Sequence, residues 1–241
     1  MITRNARVSD NATVSRDARV YGNARVSENA KVSDNATVSD NATVSDNATV
    51  SWNAEVYEDA RVYGNATVSE NARVFGNATV FGYATVFGNA RVFGDARVFG
   101  DAKVYENARV FENARVFGDA KVYGDAKVSD NARVYGNSQI SGDARVYGDA
   151  RVYGGVYLKA GIITGTMLYD RDLPQIKRSD GYVFTYCQCS DGVFRVSAGC
   201  RYFTMQEARE HWTKTRSGTK LGDETMLILD FLENAVRAYY E

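Results

Sequence analysis

Small and branched apolar residues alternate with polar ones at a fixed interval over most of this chain. Ala recurs at every sixth position from Ala6 to Ala150, interrupted only by Ser138, and Val stands two places after it from Val8 to Val152, interrupted only by Ile140. The register holds for 25 hexads without an insertion. Residues two apart on an extended chain point to the same face, and the Arg, Thr or Lys between them points to the other. Each hexad is therefore predicted to be a short strand with Ala and Val inward. Asn or Asp before the Ala in every hexad but one, where Tyr83 takes the place, often with Gly or Asp before that, supplies the tight turn between strands. No helical period fits this pattern.

A strand this short cannot bury its Ala and Val alone, and only the stacking of successive turns creates a continuous interior. The unit Val92-Phe93-Gly94-Asp95-Ala96-Arg97 and its Asn variants resemble the hexapeptide signature of left-handed parallel β-helices, an aliphatic residue followed four places later by a small one. The fold class predicted is mainly β, a left-handed parallel β-helix over residues 1–155, then a cap and linker over 156–180 and a small α+β domain over 181–241. The resemblance implies three hexads to a triangular coil, hence about eight coils and a rod roughly 40 Å long at the usual strand spacing. It also implies left-handedness and self-association, commonly as a homotrimer.

Taking every third hexad gives the rows that stack up each face. One runs Arg7, Arg25, Thr43, Arg61, Thr79, Arg97, Arg115, Arg133, Arg151, and another Arg19, Thr37, Glu55, Arg73, Arg91, Arg109, Lys127, Arg145. The third mixes Thr, Lys and Gln. Two readings are open for the basic rows: an anion-binding face, or a solvated face whose cations pair with corner carboxylates such as Asp95, Asp101, Asp119 and Asp125. Glu55 is expected to pair with Arg73 one coil on. The residue after Val is mostly Ser at first and then aromatic in nine consecutive hexads, Phe75, Phe81, Phe87, Phe93, Phe99, Tyr105, Phe111, Phe117 and Tyr123. By the alternation these rings face outward, either as a contact surface or as ladders stacked a strand spacing apart. The candidate binding residues are these nine rings with Arg73, Arg91, Arg97, Arg109 and Arg115.

Charge and cysteine content narrow the partners. With 29 Lys and Arg against 30 Asp and Glu there is no bulk attraction to nucleic acid or acidic membranes. Three cysteines and no apolar leader-like start point to a reducing compartment, the cytoplasm, and no apolar run is long enough to span a bilayer. Many proteins that share the repeat are acyltransferases, which resemble one another in using a histidine as general base and a cleft between subunits. The repeat here contains no His and no inserted loop, so the expectation is a chain that is not an enzyme and takes no cofactor or metal.

After Gly154-Gly155 the hexads stop. Tyr182 to Cys189, a Ser190-Asp191-Gly192 turn and Val193 to Phe203 read as a β-hairpin. Thr204 and Glu207 have capping-box spacing ahead of one helix, and Asp223 is placed to cap a second whose Ile228, Phe231, Leu232 and Ala235 share a face. Cys187, Cys189, Cys200 and His211 are zinc-type ligands at poor spacing, so buried thiols are the expectation. The stretch from Ser197 to Thr204 with the following Glu207-Ala208-Arg209-Glu210-His211-Trp212 resembles a small tail domain of bacteriophage and prophage proteins, which implies a bacterial host cell as the setting. The expected function is a non-catalytic interaction scaffold, phage-associated, whose aromatic belt or tail engages itself or another protein; the alternatives are an oligomeric binder that sequesters an anionic small molecule such as a nucleotide signal, and an acyltransferase relying on His211.

Overall fold

A computed structural model describes the chain apart from residues 4, 10, 160, 161, 167–174, 189–192, 200 and 241. Each hexad up to Gln139–Ile140 forms a two-residue strand, and strands pair in parallel with those 18 residues on: Arg7 with Arg25, Thr13 with Lys31, Arg19 with Thr37. Three hexads thus close one coil, and the fold is the β-solenoid of about eight turns that the period predicts. Face one starts at Arg7–Val8, face two at Thr13–Val14 and face three at Arg19–Val20. Backbone hydrogen bonds climb the rod coil by coil, as from Arg97 N to Ala114 O at 2.9 Å and Phe99 N to Val116 O at 3.0 Å. From Ala18 inward the Ala and Val columns are buried throughout. Full burial of one Val is worth about 1.5–3 kcal/mol, so the column of Val carries the rod. Ser138, the one break in the Ala series, is also buried, and its hydroxyl donates to Tyr135 O at 2.8 Å.

The turns need a residue at positive φ after each aromatic or Ser. Gly fills the place at many corners; at Gly100, φ +70, an added Cβ would lie 2.9 Å from the backbone nitrogen of Gly118 in the next coil. Elsewhere Asp or Glu takes the same conformation, as Asp46 at φ 58 and Glu106 at φ 58 do. An L residue here is strained. The carboxylates offset the strain by accepting a backbone N–H from the next coil: Gly64 N donates to Asp46 at 2.7 Å, Gly124 N to Glu106 at 2.8 Å and Gly148 N to Asp130 at 2.8 Å. Beside them run amide ladders such as Asn89 to Asn107 to Asp125, at 3.3 and 3.2 Å.

The stacking continues past the last hexad. Tyr157–Leu158 pairs with Gln139–Ile140, and Ile162–Thr166 pairs with the eight-residue strand Arg145–Val152. Val156, Leu158 and Ile163 join the rod's core, so this part of the expected cap is built from the solenoid's own strands. Pro174 lies outside the described residues.

The tail domain is a four-stranded antiparallel sheet, Gln175–Lys177, Val183–Gln188, Phe194–Ala198 and Arg201–Thr204, followed by two helices, α1 (Met205–Arg216) and α2 (Lys220–Tyr240). The second arm of the expected hairpin is therefore two strands, which fold on each other at Gly199, φ +59, and Gln175–Lys177 adds a fourth. The Ser190-Asp191-Gly192 turn lies outside the described residues. Thr204 and Glu207 form the expected capping box. Asp223 does not cap α2, which begins at Lys220; Thr219 Oγ1 accepts from Gly222 N at 3.1 Å instead. The buried stripe of α2 is Ile228, Leu229, Leu232 and Val236, while Phe231, read from sequence as part of that face, is exposed. Arg178, 3% exposed, ties the sheet to α2: it forms a fork on Asp180 at 3.0 and 2.7 Å and donates to Thr225 Oγ1 at 2.8 Å.

Two outcomes test this architecture. Gly100→Ala should lower unfolding stability by about 1–3 kcal/mol in chemical denaturation, through positive φ and the clash with the next coil. The Arg178 fork holds the Asp180 carboxyl down to about 2. A depressed carboxylate stabilises the fold above its unfolded value and loses that contribution as pH falls through the folded one. Asp180→Asn should therefore melt the tail domain at lower temperature near neutrality, with the difference from wild type shrinking as pH drops toward 2; tail-domain melting followed by Trp212 fluorescence reads this.

Candidate functional site

In-register stacking turns each outward position of the hexad into a continuous row. On face three, Arg91, Arg109, Lys127 and Arg145 are successive partners in register. They line a groove of about 480 Å³ with Asn89, Asn107, Asp125 and Asp143 on the corner beside them. A second groove of about 430 Å³ follows face two, where Lys103, Lys121 and Gln139 stand beside Tyr83, Asp101, Asp119 and Asn137. The first carries four cations against two carboxylates; the second has two of each.

The electrostatics depend on what the corner carboxylates do. Among the described residues of the rod, Arg16 pairs with Asp34 at 3.0 Å and Arg73 with Glu55 at 3.0 Å, the latter as the sequence predicts. None of the four cations of the face-three groove makes an ion pair among the described residues. Of the acids that the sequence offers as counter-charges, Asp95 accepts from Asn77 and Asp125 from Asn107, and at other corners Glu106 and Asp130 accept backbone N–H groups. Glu112 and Asp130 share a corner column, and the hydrogen bond between their carboxyls pushes Glu112 up and Asp130 down. The groove therefore holds four cations in register about 4.8 Å apart with Asp125 and Asp143 beside them, an excess of positive charge that an anion would offset.

The sequence-predicted site residues are distributed as follows. Arg91 and Arg109 lie in the face-three groove, and Arg97 and Arg115 stand on face one. Arg73 is engaged by Glu55. All nine aromatics are half-buried at the corners and stack in three ladders. These are Tyr57–Phe75–Phe93–Phe111, Tyr63–Phe81–Phe99–Phe117–Tyr135–Tyr153 and Phe87–Tyr105–Tyr123, with centroids 4.7–5.1 Å apart. Of the two roles open for the belt, the ladder is present in the fold; it shields most of each ring with the next.

His211 stands on α1 against Phe203, with ring centroids 5.0 Å apart, and burial followed by the Arg201 charge pulls its imidazole below the usual value. Cys189, Cys200 and the side chain of Cys187 lie outside the described residues, and among the described residues no group of three or more His, Cys, Asp or Glu is placed to hold a metal. No helix among the described residues is long and apolar enough to cross a membrane. Lys127, Arg145 and the flanking amide ladder are groove residues that a search for aromatic and Arg positions passed over, although their place in the same row was visible at a spacing of 18.

Comparison with known proteins bears on the fold. The YdcK β-solenoid repeat matches residues 6–20, 18–32, 30–45, 38–52, 60–74, 72–88, 126–142, 138–154 and 144–157. No curated protein matches the chain. The UDP-N-acetylglucosamine acyltransferase of Francisella novicida is similar in structure, with a TM-score of 0.62 at 15% identity, over 93% of this chain and 89% of that one. The Arabidopsis UDP-N-acetylglucosamine acyltransferase aligns over 69% of this chain and 72% of its own, at 13% identity and a TM-score of 0.29. The first likeness corrects one expectation. An acyltransferase has this architecture over nearly the full length of both chains, so an uninterrupted rod with a small tail does not mark a protein as something other than an enzyme. The 18-residue coil, the buried Ala and Val columns, the solenoid-repeat matches and the likeness to the Francisella enzyme together show the fold, a hexapeptide-repeat parallel β-solenoid.

Proposed function

We propose that the chain is an acyltransferase of the hexapeptide-repeat kind and that the phosphate-bearing part of its substrate lies along Arg91, Arg109, Lys127 and Arg145. The observation that carries this reading is the groove of four cations with no ion-pair partner among the described residues. Guanidinium forks meet phosphate oxygens two at a time, and Lys adds a compact point charge. A diphosphate spans two to three rungs of such a strip. A nucleotide-sugar diphosphate, the class named for the Francisella enzyme, suits it in charge. Self-association into trimers would place neighbouring rods against these faces and close the grooves from the far side. A second reading, in which the tail also engages a protein partner, is favoured by Leu227 and Phe231, exposed one turn apart on α2.

Two measurements test the strip. Pyrophosphate or uridine diphosphate at 100 times its Kd should add about 2.7 kcal/mol of apparent stability, read as a rise in Tm, and the rise should vanish in Arg91→Gln/Arg109→Gln. An unchanged Tm at millimolar ligand would mean that the row is a solvated face. In the absence of ligand, Arg109→Gln alone should stabilise the rod by up to about 1 kcal/mol at low salt, because it removes a charge from the middle of a like-charged row. At 1 M salt, where screening acts within about 3 Å, that gain should disappear.

A further inference from the structure

The strictness of the repeat makes its exceptions informative. Along the corner between face one and face two, the residue before Ala is Asn or Asp except at Tyr83. Earlier in this row Asn11, Asn29 and Asn47 form an amide ladder, with steps of 3.4 and 3.3 Å. A phenol has no amide with which to continue it. The exchange leaves the backbone as it is, since Tyr83 N donates to Gly100 O at 2.9 Å just as Asn65 N donates to Gly82 O at 2.7 Å. The side chain differs more. At 65% exposure Tyr83 carries the most exposed aromatic ring among the described residues, and no other ring stacks on it there. The nine belt rings shield one another in ladders, whereas this ring packs on nothing that would explain its presence.

Tyr83 stands at one end of the face-two groove, whose volume of about 430 Å³ falls in the range of roughly 300–1,000 Å³ common for small-molecule sites. Beyond it, coil by coil, the corner presents Asp101, Asp119 and Asn137, and face two presents Lys103, Lys121 and Gln139. Tyr83 and Asn137 are three coils of 18 residues apart, roughly 14 Å at the strand spacing. Asp101 and Lys103 both point outward with one residue between them, as do Asp119 and Lys121, yet neither pair closes into an ion pair. Among the described residues none of these side chains makes a hydrogen bond within the chain. The face-three groove differs, because there Asn89, Asn107 and Asp125 are joined side chain to side chain. Face two thus has an open ring at one end and a run of uncommitted donors and acceptors beside it.

The kinds of group present select the ligand. Two carboxylates balance two ammonium groups, so the groove has no excess charge to hold an anion, and Asp101 and Asp119 would repel a phosphate laid along it. A carboxylate only accepts, an ammonium only donates, and a hydroxyl does both and can link them. A chain of pyranose rings brings hydroxyls along its edges and a flat C–H face for the electron-rich face of a phenol ring. A nucleobase would share the stacking, but its phosphates would meet the two carboxylates. We propose that the face-two groove is a carbohydrate site that takes a short neutral oligosaccharide, one pyranose stacked on Tyr83 and the following units hydrogen-bonded along Asp101, Asp119 and Asn137. The site lies on a different face from the cation strip and does not depend on the acyltransferase reading.

The test is calorimetric titration of the full chain with cellotetraose, maltotetraose and tetra-N-acetylchitotetraose at millimolar concentration. At least one should bind, and its affinity should change little between low and high salt, because the ligand is uncharged. Tyr83→Asn restores the residue type of the same row, so the rod should keep its Tm while affinity falls about tenfold or more, the scale found for flat rings stacked on aromatic side chains. Tyr83→Phe should bind close to wild type. Asp119→Asn should weaken binding as well, and Arg109→Gln, in the other groove, should leave it unchanged. If no oligosaccharide binds wild type, or if binding survives Tyr83→Asn undiminished, the groove is a solvated face and the proposal falls. Binding of uridine diphosphate that is lost in Tyr83→Asn would also overturn it, since the ring would then be a platform for a base.

Discussion

Everything outward on this rod follows from one constraint, that parallel strands stack in exact register every 18 residues. Each residue sits directly over its counterpart in the coil below, at the distance of one interstrand hydrogen bond. A residue at any position therefore meets those 18 places before and after it. Inside, this is favourable, because Ala and Val repeat into two dry columns whose packing never has to be reinvented. Outside, the same rule forces like onto like: rings onto rings, amides onto amides, and cations onto cations.

The fold resolves the three outer cases differently. Stacked rings shield one another and form ladders. Stacked amides are complementary, since each Asn donates to the next and the row can end on an Asp that only accepts. Stacked cations have no such solution among themselves. Some corner carboxylates, such as Asp46 and Glu106, are claimed by positive φ and the N–H of the next coil, and the two beside the groove, Asp125 and Asp143, are fewer than its four cations. A near-neutral chain thus exposes a four-cation groove, and this local imbalance, more than net charge, is what points to an anionic ligand.

The places where the repeat stops have most chemical variety. At the end of one aromatic column a serine, Ser141, replaces a ring and is buried with its hydroxyl unpartnered. In the tail, Arg178 is buried on its fork with Asp180 and joins the sheet to α2, so its charge serves packing.

By itself the sequence determined the short strands and their stacking into a solenoid, because a period of six with alternating burial leaves each strand's inner face to be covered by the next turn; the spacing of 18, and with it the rows, came from the resemblance to hexapeptide-repeat proteins. It also determined the capping box at Thr204 and the pairing of Glu55 with Arg73, both of which are short-range or one coil apart. It misjudged the tail's second strand, the start of α2 and the burial of Phe231, where bends and packing between elements decide. Only the tertiary structure decided which carboxylates were spent on backbone N–H groups and which rings were shielded. Those outcomes depend on side-chain direction across neighbouring coils and on hydrogen-bond competition at the corners, quantities that a linear pattern of residue types does not contain.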